Sequence, residues 1–225
     1  MDGAFALFIV IGILVVAGLA LFGWLAEKKR REAFAALAGR LGLAFDPGRD
    51  KALPLRYGFL DALRQGDNRY AFNILRGDYR GFPVQAFDFH YETHSTNSKG
   101  QRQTHHHYLS FFLLEQIRDF PELRIYPESF FSKIGQMLGF EDIDFESLEF
   151  SKAFCVRSKD RKFAYDVCHT RMMEYLLAHR DLSLEIEHTA VALSFGKRLK
   201  PEEVPARLDQ LVTIVNLFPE YLYRG

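Results

Sequence analysis

The chain is poor in cysteine and has no surplus charge of either sign. Two cysteines, Cys155 and Cys168, with no CxxC motif, exclude a disulfide framework as the organising principle. They read instead as small buried hydrophobes in a reducing compartment. Lys and Arg total 29 and so do Asp and Glu, so no global field draws the chain onto nucleic acid. Pro (8) and Gly (16) are not in excess, which excludes collagen-like and low-complexity classes. Also missing are GxxxxGK[ST], GxSxG, HExxH and GxGxxG, so no nucleotide or metalloprotease motif stands behind a catalytic reading.

What the chain has is a long apolar run near its start and an aromatic-rich remainder, with 22 Phe and 10 Tyr. Ala4 to Ala26 carries no charge and as a helix would measure about 34 Å, enough to cross a bilayer's hydrocarbon core. Trp24 stands at its end, where an indole suits the headgroup level. Glu27-Lys28-Lys29-Arg30-Arg31-Glu32 follows at once. A cleavable signal peptide carries its basic residues before the apolar stretch, so an uncleaved single-pass anchor is expected here. The positive-inside tendency then places the following domain in the cytoplasm, at the cell membrane.

Beyond the anchor, Phe34, Leu37, Ala38 and Leu41 fall at helical spacing and Gly42 is placed to end that helix. The expected organisation is a transmembrane helix (4–26), a basic amphipathic stalk (27–44), a turn-rich linker (45–57) and one domain (58–225). Tyr70–Leu75, Val84–Tyr91, Tyr108–Leu114, Leu123–Tyr126 and Ala153–Val156 read as strands. Leu182–Glu187 and Ala190–Phe195 read as a hairpin. Helices are expected from Ser129 to about Leu138, at Arg161–Val167 and Thr170–Ala178, and as a closing helix from Glu202 to Leu217. Strands follow strands, so the fold class is α+β, an antiparallel sheet covered by helices, with a pleckstrin-homology-like roll as the alternative.

Several separated blocks carry a resemblance: Gly81-Phe82-Pro83-Val84-Gln85-Ala86-Phe87-Asp88-Phe89-His90-Tyr91, Leu123-Arg124-Ile125-Tyr126-Pro127-Glu128, and Phe163-Ala164 before Arg171-Met172-Met173. In this order they resemble an uncharacterised bacterial family of single-pass membrane proteins. The resemblance implies the same architecture of anchor, basic cluster, helix and domain, and brings no activity or cofactor with it.

Ligand-type side chains gather at one place. If the second and third strands pair across the polar loop Thr93–Thr104, Asp88 faces Leu109, His90 faces His107 and Glu92 faces His105. Alternation then sets Asp88, His90, Glu92, His105 and His107 on one solvated face, where His90, His105 and His107 could hold Zn²⁺. A register displaced by one residue brings His106 opposite Glu92 instead. Asp142, Asp144 and Glu146 alternate in a loop without the glycine and distant Glu of a calcium site, and read as a solvated acidic stretch. His169, Arg171 and Glu174 lie near a helix start that could receive an anion, with a surface role the plainer reading.

The expected function is a non-enzymatic interaction or scaffold module at the cytosolic membrane surface. It would be tied to the bilayer by its helix, need no cofactor and engage a protein partner there. The alternatives are a metal-dependent enzyme or sensor using the His-rich hairpin with Zn²⁺, and a lipid-binding domain.

Overall fold

A computed structural model describes residues 2–128 and 142–224, with side chains from Leu7 onward. The helix expected between Ser129 and Leu138 lies outside the described residues. The first element, α1 (Asp2–Leu41), is one unbroken helix joining the apolar run to the stalk. It is long and apolar enough near the N-terminus to span a membrane, and from Leu7 to Ala26 its side chains have no protein cover. Its last turns behave differently. Phe34, Leu37 and Ala38 are buried against the sheet, worth about 1.5–3 kcal/mol for each large side chain. Gly42 then takes a φ of +69° and the Leu43 N–H reaches back to the Ala38 carbonyl at 2.9 Å, closing the helix as its glycine implied.

The stretch expected to be a turn-rich linker begins as a strand, β1 (Ala44–Asp50), followed by a short helix α2 (Ala52–Arg56) and a 3₁₀ turn at Asp61–Arg64. Asp46-Pro47-Gly48 forms a bulge in β1, with the Gly48 N–H on the Asp46 carboxylate at 2.8 Å. Proline is tolerated there because β1 pairs on one side only, with β2 (Asp67–Tyr79). The sheet continues antiparallel through β3 (Phe82–Thr96), β4 (Arg102–Pro127) and β5 (Phe154–Arg157), while β6 (Ser183–Phe195) also pairs with β4.

Two strand readings need correction. Tyr108–Leu114 and Leu123–Tyr126 are parts of the single strand β4, and the expected hairpin of Leu182–Glu187 and Ala190–Phe195 is the single strand β6. Both strands bend together through irregular register between Glu115 and Leu123, opposite His188, whose φ is +52°. What reads as a turn at His188-Thr189 is continuous strand opposite a bulged stretch of β4, and bulges bend strands without ending them.

Helices α3 (Leu148–Ala153), α4 (Arg161–Val167), α5 (Thr170–Leu177) and α6 (Val204–Asn216) cover one face of the sheet with the end of α1. In α6 the residues at helical spacing, Val204, Leu208, Leu211, Val212 and Val215, are buried as their periodicity predicts. A smaller core closes the other face, where Leu53, Tyr57, Leu60 and Leu63 pack on Phe87, Phe89 and Phe111. The architecture is therefore α+β, an apolar N-terminal helix followed by a helix-covered antiparallel sheet. The C-terminal aromatics dock on the sheet through Phe218 and Tyr223, each 5.7 Å from the Phe120 ring.

Candidate functional site

The polar residues of β3 stand where α1 leaves its apolar run. The β3–β4 register pairs His90 with Tyr108 and Glu92 with His106, which is the displaced register of the two considered from the sequence. That single step reverses the face of every side chain on β4. His90 and His106 now share one face, while His105 and His107 lie on the other, bonded to Ser95 and Thr93 at 2.8 Å. The proposed trio of His90, His105 and His107 does not converge.

Nor is the even-numbered face of β3 solvated at Asp88 and His90. Asp88 is fully buried, with α1 and the segment after β6 bonded to it, and His90 is 2% exposed among the Tyr70, His106 and Tyr108 rings. Asp88 accepts hydrogen bonds from Arg30 Nη2 at 2.7 Å, Asn73 Nδ2 at 3.0 Å and the Leu199 N–H at 2.6 Å. Asn73 reaches it from a bulge in β2, at a φ of +50°. One carboxylate thus joins the helix, two strands and the loop after the sheet.

Two residues along β3, His90 stacks on Tyr70 with ring centroids 4.5 Å apart. Its Nδ1 lies 3.1 Å from the Asn68 carbonyl, a contact that places the proton on Nδ1 and leaves Nε2 as the lone-pair nitrogen. Nε2 is 3.0 Å from His106 Nδ1 and 3.9 Å from Glu92 Oε1, and His106 Nδ1 is 3.5 Å from the same oxygen. Burial holds the His90 imidazole below its ordinary pKa. The Asn68 amide, then the neighbouring imidazoles, hold Glu92 low. His90 Nε2, His106 Nδ1 and Glu92 Oε1 therefore converge on one point, two imidazole nitrogens and a carboxylate, a donor set suited to a divalent metal.

Beside this triad opens a cleft of about 230 Å³ lined by Glu27 and Arg31 of α1, Arg49 of β1, Tyr70, Tyr108 and Arg198. The Arg49 guanidinium lies over Tyr70 at 4.6 Å, and that of Arg198 over Tyr108 at 5.6 Å. Glu27 is 3.1 Å from Arg198, 3.6 Å from Arg30 and 3.7 Å from Arg31. Burial works against ionisation of Glu27, and these cations more than offset it, so its pKa is lowered.

A second polar centre, unforeseen in the sequence reading, is buried at the far bend of the sheet. Arg124 is 2% exposed and faces Asp61 at 3.3 Å, Glu185 at 3.2 Å and Glu122 at 3.7 Å, with Glu187 also bonded. Glu185 also accepts the backbone N–H groups of Asp61 and Ala62 at 2.6 and 3.2 Å. The available signal was a lone charge between apolar neighbours, in Leu123-Arg124-Ile125 and Leu184-Glu185-Ile186. Elsewhere, His169 precedes α5 and bonds the Leu217 carbonyl at 2.9 Å, while Arg171 is exposed. Asp142 accepts the Val156 N–H at 2.8 Å.

No family model and no curated protein matches the chain. Among solved structures it is similar to the mycobacterial trehalose monomycolate transport factor A, TtfA, with a TM-score of 0.60. That likeness covers 85% of this chain and 95% of the other at 13% identity, which establishes a shared fold and leaves chemistry to this chain's own residues.

Proposed function

We propose that this chain is a single-pass membrane protein whose cytosolic domain is a non-enzymatic interaction module, serving a transport or assembly process at the membrane surface. The observation that carries the reading is the contact of Arg30 with Asp88, which fixes the domain onto its own anchor. A domain held in one orientation offers the same surface to every partner in the bilayer and works at high local concentration there. The fold it shares with a protein described as a transport factor supports the same reading. So does the hairpin arm of β3 and β4, whose exposed Ser95–Gln103 tip presents polar side chains from a firm sheet.

The test is site-specific photocrosslinking from Lys99 in the full chain in its native membrane. The expected result is one discrete adduct with a membrane-transport component, identified by mass spectrometry and weakened by Asp88→Ala. Adducts no different from those formed from exposed Arg161, on the opposite part of the fold, would overturn the reading.

The convergence of His90, Glu92 and His106 supports a second reading, a metal-dependent sensor or enzyme. In it the Asn68 carbonyl orients His90 and half-exposed His106 leaves a coordination position open to water. Zn²⁺ titration of the full chain in detergent should give near-stoichiometric binding that is lost in Glu92→Gln and His106→Ala. Binding should survive His105→Ala with His107→Ala. Equal binding by the His106 variant would dismiss it.

A further inference from the structure

The cleft between α1 and the sheet lies at a defined depth relative to the apolar run. Glu27 is the first charge after Ala26, and from Glu27 to Arg31 the helix rises about 6 Å. The headgroup layer of one leaflet is also roughly 5–7 Å deep. With the run filling the hydrocarbon core, the mouth of the cleft therefore opens into the headgroups.

Its charges come from three separate elements, α1, β1 and the segment after β6, so no local sequence motif announces it. Arg31 and Arg198 share the single carboxylate of Glu27, while Arg49 has no acidic partner among the described residues. Arg198 Nε is buried without a hydrogen-bond acceptor among them. Arg49 lies over the Tyr70 ring, and Arg198 over those of Phe72 and Tyr108, contacts that restrict both guanidinium groups before anything binds. The cleft thus combines excess positive charge with guanidinium groups restricted by aromatic contacts, and the oxygens of a phosphate match that demand.

We infer that this cleft binds the phosphate of an anionic phospholipid in the leaflet beside the domain, with Arg49 and Arg198 as the recognising forks and Arg31 completing the charge. A lipid held there ties the sheet to the bilayer at a second point, beside α1. This inference rests on α1 spanning the membrane, and the experiment below separates the failure of that premise from its own.

Trp24 is the chain's one tryptophan, lies about one helical turn before Lys28, and is exposed on α1. It is a native reporter of the lipid next to the cleft. The full chain is reconstituted in phosphatidylcholine vesicles, and Trp24 fluorescence is quenched by brominated phosphatidylglycerol or brominated phosphatidylcholine. The expected result is a preference for the anionic lipid that falls about fivefold for each arginine lost in Arg49→Gln and Arg198→Gln. Lys28→Gln with Lys29→Gln should keep most of it. Equal preference in the wild type and the arginine variants overturns the proposal, since the helix's own lysines would then account for the attraction. Arg49 carries no ion pair among the described residues, so its variant keeps the test readable if the Arg198 variant folds poorly. Inorganic phosphate, added to the protein in detergent, should raise the melting temperature little. A large phosphate-dependent rise together with no lipid preference would assign the cleft to a soluble phosphate and overturn the lipid source. Absence of quenching by either brominated lipid would overturn the membrane-spanning premise, and the proposal with it.

Discussion

Arg30 on α1 and Asp88 on β3, 58 residues apart in sequence, meet at 2.7 Å, and the Asp88 carboxylate is fully buried. A basic residue that by position belongs to the cluster flanking the apolar run is thus part of the domain's interior. Removing the carboxylate leaves the Leu199 N–H, the Asn73 amide and the Arg30 guanidinium short of an acceptor. Asp88→Ala is expected to cost about 3–5 kcal/mol. Arg30→Ala, which leaves Asp88 two of its donors, should cost about 1–3 kcal/mol. Denaturant unfolding of the full chain in detergent measures both, and an unchanged midpoint for Asp88→Ala would show that the contact does not hold the helix to the sheet.

Two glycines with positive φ separate backbone strain from lack of space. At Gly66 (φ +59°) a Cβ would lie 2.2 Å from the Glu92 carbonyl oxygen and 2.7 Å from the Tyr91 ring. At Gly81 (φ +84°) a Cβ would meet nothing within 4 Å. Gly81→Ala is therefore expected to cost about 1–2 kcal/mol, from backbone strain alone. Gly66→Ala should cost more than about 3 kcal/mol, because the β3 backbone must also move. Thermal unfolding of the two variants side by side decides it, and equal losses would mean the strand can yield.

The Arg124 centre makes stability depend on pH in a calculable direction. Burial raises the Glu185 carboxyl above its ordinary pKa; Arg124 pulls it down, but Asp61 adds to the rise. The folded chain therefore holds this proton more tightly than the unfolded chain. Its contribution is complete below about pH 4.5 and is lost as pH rises through the raised value. Glu185→Gln should gain on the wild type as pH rises from about 4.5 to about 7.5. A stability difference between the two that stays constant across that range would contradict the assignment.

Both thiols should be inert in the native state. Burial, then Asp142, pushes Cys155 up to about 11, and burial alone raises Cys168. Ellman's reagent at about pH 8 should label neither until the chain is unfolded, since thiolate is the reactive form. Rapid labelling of one thiol per native chain would show a breach in the core around it.

Much of the architecture was legible in the sequence because its causes are local. The apolar run reads as a membrane-length helix from its uninterrupted composition, Gly42 as a stop from its freedom at positive φ, and α6 as a closing helix from its 3.6-residue period. Alternation in β3 separated Asp88 and His90 from Phe87 and Phe89 correctly. The gathering of chemistry at the β3–β4 hairpin was also readable.

What the tertiary structure alone decided is whatever depends on a partner far along the chain. Strand register is set by the packing of both sheet faces, and a shift of one residue replaced His105 and His107 with His106 beside His90. The bends that make β4 and β6 single strands arise from their mutual pairing, which neither sequence carries by itself. Asp88 and Arg124 read as ordinary strand polar residues because the groups that cover and neutralise them, Arg30 with Leu199 and Asp61 with Glu185, arrive from other elements. Local sequence determines the period of a segment, and only long-range packing determines what stands on the other side of it.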